Sequence, residues 1–116
     1  MSSELRRRRR WHVAEAIEVV DAMSDEVIGR IGNLSETGML LIASVPLREE
    51  ALYQIRFRLP DAAAGALHDY EVGAHLLWID QAGGSGLAWV GLRFIAVPAD
   101  QARRLAAWIA ADAQPE

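Results

Sequence analysis

The fold class of this chain is decided by one stretch, Tyr53-Gln54-Ile55-Arg56-Phe57-Arg58-Leu59. Apolar and polar side chains alternate along it, which is the pattern of a β-strand with one buried and one solvated face. Other apolar stretches surround it and are joined by short segments rich in turn-forming residues, so we predict about six strands. The predicted strands are Ala14–Asp21, Val27–Gly32, Met39–Ala43, Tyr53–Leu59, Tyr70–Asp80 and Leu87–Ala96.

The C-terminal part of the chain changes from strand to helix periodicity. Leu105, Trp108 and Ile109 fall on one face at helical spacing, and Pro98 suits the first position of a helix. We therefore predict a helix over residues 98–113 that packs this face onto the strands. Several strands with short connections, followed by one helix, predict an all-β fold with a C-terminal helix, built on an antiparallel sheet or small barrel.

Composition limits the classes of protein to which the chain can belong. It has 116 residues, of which 52% are hydrophobic and 24% charged, which is typical of one globular domain. The absence of cysteine excludes disulfides, zinc-thiolate sites and a cysteine nucleophile. No apolar run approaches the ~18–20 residues of a membrane span, and no secretory core follows the N-terminus. We predict a cytoplasmic protein without a transmembrane segment.

The formal net charge of −4 conceals an uneven distribution. Residues 1–10 contain five arginines and Glu4 and sum to +4, whereas residues 11–116 contain seven arginines and fifteen acids and sum to −8. We therefore predict a flexible basic N-terminal arm, residues 1–12, ahead of a barrel domain over residues 13–116. The sequence pI near 5.3 argues against DNA as a partner.

Two short motifs carry a family resemblance. The run Arg6–Arg10 contains the pattern Arg-x-x-x-Arg, and Asn33–Gly38, between the second and third predicted strands, fits Asp/Asn-x-Ser-x-x-Gly. In this order the motifs resemble those of the PilZ domain family. The resemblance implies a six-stranded antiparallel β-barrel of PilZ type and binding of the bacterial second messenger cyclic di-GMP. It also extends to the segments Trp89–Phe94 and Arg103–Ile109.

The resemblance assigns the arginine half of the ligand site to the run before the first strand. We take Arg6 and Arg10 as the pair because Arg10 lies at a family-like distance from that strand, and Arg9 is the next candidate. A guanidinium group matches the O6 and N7 acceptors of guanine, and it also binds phosphate oxygens. We expect the arm to fold onto the barrel when the ligand binds.

The second motif supplies the other half of the predicted site. Asn33 offers a donor and an acceptor to a guanine edge, and the Ser35 hydroxyl can reach a phosphate or a base edge. Gly38 permits a positive φ and a close backbone approach. For Trp78 and Trp89, which fall in predicted strands, core packing is favoured over stacking on a ligand.

No catalytic residue, metal ligand or cofactor is predicted. Ser35 has neither a nearby histidine nor the sequence of a nucleophile elbow, and the three histidines are scattered. The favoured function is a stand-alone receptor that passes its signal to an unidentified protein effector. One alternative is a nucleotide-independent pilus or motility adaptor of the same fold. Another is a polybasic-tail protein that binds membrane surfaces or RNA.

Overall fold

The computed structural model describes residues 16–60, 66–81 and 85–113, and it confirms the predicted barrel with one C-terminal helix. All strand pairs are antiparallel. The elements are β1 (Glu18–Asp21), β2 (Glu26–Leu34), β3 (Gly38–Ala43), β4 (Leu52–Pro60), β5 (Leu67–Gln81), β6 (Ala88–Ala96) and α1 (Ala99–Ala113). The barrel closes in the order β1-β2-β3-β6-β5-β4.

The alternation along β4 gives the barrel a dry interior and a polar outer face. Ile55, Phe57 and Leu59 are buried, while Arg56 and Arg58 lie on the outside. The Phe57 ring stacks on Tyr70 of β5 with 5.3 Å between centroids. Side chains from every strand and from the helix complete one continuous core. The charged residues of β4 therefore leave the hydrophobic interior intact.

The helix packs through the predicted face and covers one end of the barrel. Leu105 and Ile109 are buried, and Trp108 packs against the core. Near the helix start, the Gln101 side-chain oxygen accepts a hydrogen bond from the Glu71 backbone N–H, 2.9 Å away. The covered end is thus the one where β5 begins and β6 ends. Among the described residues, no helix is long and apolar enough to cross a membrane.

Several element boundaries differ from the prediction. The first strand begins at Glu18 rather than residue 14, and residues 14–15 lie outside the described ranges. Strand β2 continues through Asn33 and Leu34, where a turn was predicted, because a bulge between Ile31 and Asn33 lets pairing with β3 continue. Strand β5 begins at Leu67, so the connection after β4 is shorter than predicted. The helix begins at Ala99, one residue after Pro98.

Candidate functional site

The turn between β2 and β3 is held closed by the Ser35 side chain. The Ser35 backbone N–H donates to the Gly38 carbonyl at 2.9 Å. The Ser35 hydroxyl oxygen accepts the backbone N–H groups of Thr37 and Gly38 at 3.3 and 3.2 Å. A serine at the start of a turn commonly satisfies the next backbone donors in this way. The serine of the second motif therefore shapes the loop before any ligand arrives.

The hydrogen-bonding capacity of the Ser35 hydroxyl is largely used within the turn. Its two lone pairs face the two N–H groups, and its proton can be donated to the Gly38 carbonyl or to Thr37 Oγ1, each at 3.3 Å. A direct bond to a phosphate or base would replace one of these contacts. The predicted ligand contact of Ser35 stays a prediction. The structure adds a second role for this side chain, which is to hold the turn in shape.

Gly38 is required for a close approach between strands and not for an unusual backbone angle. A Cβ at this position would overlap the Leu92 carbonyl oxygen of β6. Among the described glycines, only Gly29 and Gly86 have a positive φ, so Gly38 does not use the positive φ that glycine permits. The backbone that approaches Gly38 closely is that of the neighbouring strand. A close approach by a ligand at this position stays a prediction.

Asn33 lies on the outer face of β2 immediately after its bulge. It is half-buried and paired in register with Leu40 of β3, while the next pair, Leu34 with Met39, points into the core. Within the described ranges the Asn33 amide makes no side-chain hydrogen bond. Its donor and acceptor are therefore available to a ligand on the outside of the barrel.

Both strand tryptophans lie on the outer face, so their predicted core placement is wrong. Trp78 is 43% exposed and Trp89 is 37% exposed. The Trp78 indole lies over Gly91, where any Cβ would overlap the ring. The Trp89 ring lies over Gly32, with Cζ3 3.3 Å from the position a Cβ would occupy. Because glycine has no side chain, each indole can lie against the strand backbone and leave part of its surface open.

The outer-face residues form a continuous row that ends at the polar turn. In register, Trp78 of β5 pairs with Gly91 of β6, Gly91 with Leu40 of β3, and Leu40 with Asn33 of β2. With strands ~4.8 Å apart, this row is about 14 Å long. We call Trp78, Trp89, Leu40 and Ile42 the outer platform. The row joins this apolar platform to the available Asn33 amide.

Two glycines in the predicted strands are the sequence signal that could have indicated the outer platform. Gly32 and Gly91 interrupt strands that are otherwise rich in apolar residues, and a strand glycine often marks a close approach by another group. Each is covered by an indole in the fold. The spacing of these glycines does not show which tryptophan covers which glycine, because that depends on the pairing of strands distant in sequence.

The arginine half of the predicted site, Arg6, Arg9 and Arg10, lies outside the described residues, as does the rest of the arm. Its contact with the Ser35–Gly38 turn stays a prediction. Within the described part of the chain, no group of three or more histidine, aspartate or glutamate side chains could hold a metal ion. The outer platform, Asn33 and the turn are thus the part of the candidate site that can be described geometrically.

A closed six-stranded barrel with a C-terminal helix and a polar motif between β2 and β3 defines a PilZ-type domain. The PilZ domain model matches residues 4–111, so the chain belongs to the PilZ domain family, whose characteristic role is cyclic di-GMP binding. Among solved structures, the fold is similar to the Bacillus subtilis inhibitor of motility MotI/DgrA, with a TM-score of 0.70 and 14% identity. The alignment covers 83% of this chain and 46% of that one, so this chain spans less than half of that protein. None of the curated proteins matches the chain significantly.

Proposed function

We propose that this protein is a receptor for cyclic di-GMP that signals through a partner protein. Family membership supports the ligand class. The observation that carries the proposal is the row from Trp78 to Asn33, which places an apolar surface beside an available amide. A guanine base needs both features, because its face stacks on aromatic side chains and its edge forms directional hydrogen bonds.

The two motifs divide the binding between them. Asn33 binds a guanine edge, while Ser35 keeps the turn in the shape that receives the ligand. Arg6 and Arg10, or Arg9 in place of one of them, bind the phosphates and bases from the opposite side. Micromolar affinity requires about −8 kcal/mol, whereas one charged hydrogen bond contributes ~1.5–3 kcal/mol. Several arginine contacts and base stacking must therefore act together.

Calorimetric titration with cyclic di-GMP tests the proposal. We expect micromolar binding by the unaltered chain and no measurable binding when Arg10 and Ser35 are both changed to alanine. Cyclic di-AMP is the matched ligand control, since adenine lacks the O6 acceptor of guanine and should bind at least tenfold more weakly. The variant Arg58→Ala should bind normally, because Arg58 is paired with Asp69 on another face of the barrel. Absence of binding at millimolar ligand would overturn the proposal.

The same titration separates the two other functions. An adaptor that works without nucleotide would ignore cyclic di-GMP and would use the exposed indoles to contact a protein. A polybasic-tail protein would bind anionic vesicles or RNA with steep salt dependence, and the Ser35→Ala change would have no effect on that binding. Asn33→Ala adds a further discriminating variant, since only the receptor function predicts a loss of affinity from removing this amide.

A further inference from the structure

We propose that Arg93 of β6 is an additional ligand-binding arginine, supplied by the barrel itself, that binds a phosphate of the bound nucleotide. This inference rests on the proposed cyclic di-GMP function and extends its site to a residue outside both motifs. Arg93 is exposed on the outer face of β6. Its position, its unpaired charge and its distance from the outer platform each point to this role.

The position of Arg93 is fixed by direct pairing with the second motif. Arg93 is the register partner of Gly38, and side chains at such positions start about 4.5–5.5 Å apart. Gly38 has no side chain, so no β3 side chain competes with the guanidinium group at this register position. The Phe94 N–H donates to the Thr37 carbonyl at 2.8 Å, which continues the ladder into the turn. Arg93 and the Ser35–Gly38 turn are therefore held on one rigid framework.

The charge of Arg93 is uncompensated in the described part of the chain. The outer-face arginines of β4 are both paired, Arg56 with Asp25 and Arg58 with Asp69. No carboxylate of the described ranges lies within ion-pair distance of Arg93.

On the far side of Arg93, β5 places His75 in register with it. The His75 ring contacts Glu50 Oε1 at 3.1 Å, so the nearby Glu50 is engaged with the imidazole. Arg93 lies beside the turn that the proposed function assigns to the ligand, in a body of residues 11–116 whose fifteen acids outnumber its seven arginines. An arginine without a carboxylate partner in the described ranges is favourably placed there to bind a phosphate.

The distance from the platform favours a phosphate over a base as the group that Arg93 binds. Gly91, under the Trp78 indole, is two residues before Arg93, which is ~7 Å along the strand. A base stacked on Trp78 places its own phosphate at a comparable distance through the sugar. The planar guanidinium group then binds two phosphate oxygens at once, which a single point charge cannot reproduce.

Three arginine-to-alanine variants, each losing one positive charge, test the inference by calorimetric titration with cyclic di-GMP. We expect Arg93→Ala to weaken binding by about tenfold to a hundredfold. Arg58→Ala controls for a paired outer-face arginine, and Arg30→Ala for one on β2 that also has no carboxylate partner in the described ranges. Both should change affinity by less than about threefold. Arg93→Lys should recover only part of the loss.

Circular dichroism melting serves as the folding control, since an exposed side chain contributes little to stability. Equal weakening by all three alanine variants would overturn the inference, because it would indicate a general charge effect. Normal binding by Arg93→Ala, together with weakened binding by Asn33→Ala, would overturn the inference and leave the proposed function standing. No binding by the unaltered chain would overturn both.

Discussion

The Ser35 hydroxyl connects the sequence of the second motif to the shape of the turn. We expect Ser35→Ala to lower the free energy of unfolding by about 1 kcal/mol, since the N–H groups of Thr37 and Gly38 lose their acceptor but can be hydrated. Thr37→Val is the control, because among the described residues the Thr37 hydroxyl hydrogen-bonds to Ser35 Oγ alone. This change should cost less than about 0.5 kcal/mol. Urea unfolding measures both. Equal costs would contradict the positioning role of Ser35.

A second prediction at the residue scale concerns the stability of a Gly38 variant. An alanine Cβ there would overlap the Leu92 carbonyl oxygen, which belongs to a paired strand and cannot rotate away. We expect Gly38→Ala to destabilise the fold by about 2 kcal/mol in urea unfolding. At Gly73 an added Cβ would lie 3.2 Å from the Ala96 side chain and 3.6 Å from the Gln54 side chain. Gly73→Ala should therefore cost clearly less, and a smaller cost at Gly38 would contradict the close approach.

Gly38 and Asn33 show which features of the site the sequence could not predict. A glycine at position 38 permits a close backbone approach, and the group that approaches it in the fold is the Leu92 carbonyl on β6, a strand more than fifty residues away in sequence. Asn33 was predicted in a turn and lies in β2, because the bulge before it extends the strand. In both cases the ligand role inferred from the residue type stays a prediction. The surroundings of each residue come from strand pairing, which is nonlocal.

At the scale of elements, the bulge in β5 explains why the prediction placed Trp78 in the core. It does not account for Trp89, which lies on β6 and pairs with β3 without a register shift. Hydrophobicity assigns an apolar strand residue to the core, and strict alternation would keep that assignment along the strand. The pairing register shifts between Leu76 and Trp78, so side chains change face there. By contrast, the alternation along Tyr53–Leu59 was interpreted correctly, because charged arginines marked the outer face and no bulge interrupts its pairing with β5.

The outer platform provides a binding prediction at the scale of elements. We expect Trp78→Ala to weaken cyclic di-GMP binding by about tenfold, within the ~1–3 kcal/mol typical of stacking one base on an aromatic ring. Trp78→Phe should retain more affinity because a planar ring remains. Leu77→Ala is the matched control, since Leu77 is the exposed neighbour at the bulge and offers no ring. If Leu77→Ala and Trp78→Ala weakened binding equally, stacking would be excluded as the cause.

The C-terminal helix is predicted to stabilise the barrel chiefly through its buried face. Leu105 is 1% exposed, so Leu105→Ala should lower the free energy of unfolding by about 3 kcal/mol. Arg103→Ala, on the exposed face of the same helix, should change it by less than about 0.5 kcal/mol. Urea unfolding followed by circular dichroism gives both values. A small effect at Leu105 would mean that the helix contributes little to the core.

At the scale of the whole molecule, the barrel presents two chemically different outer faces. On the β4–β5 side, Gln54 donates a hydrogen bond to Glu71 and Arg58 forms an ion pair with Asp69, so these polar side chains have local partners. On the β3–β6 side, the outer platform is apolar and Arg93 has no carboxylate partner in the described ranges. The sequence predicted the barrel and its closing helix. It could not predict this division, because each face combines residues from strands that become neighbours only when the barrel closes.

The basic arm should determine binding but not folding, because residues 1–10 contain only two apolar residues, Met1 and Leu5. Removing residues 1–10 deletes five arginines and Glu4, a charge of +4, and leaves a body with seven arginines and fifteen acids at −8. That body repels a dianionic ligand, so the truncated chain should show no calorimetric binding while its melting temperature changes little. A chain with Arg6–Arg10 all changed to lysine keeps the charge but loses the planar guanidinium groups.

We expect the lysine chain to bind at least tenfold more weakly than the unaltered chain. It should also lose most of its remaining affinity between about 50 and 200 mM salt, because contacts made by charge alone are screened by salt. The unaltered chain should depend less on salt, because paired hydrogen bonds to guanine and phosphate are less screened than isolated charges. Equal affinity of the two chains at both salt concentrations would show that the arm acts only through its charge, and the assignment of a specific arginine pair would then be wrong.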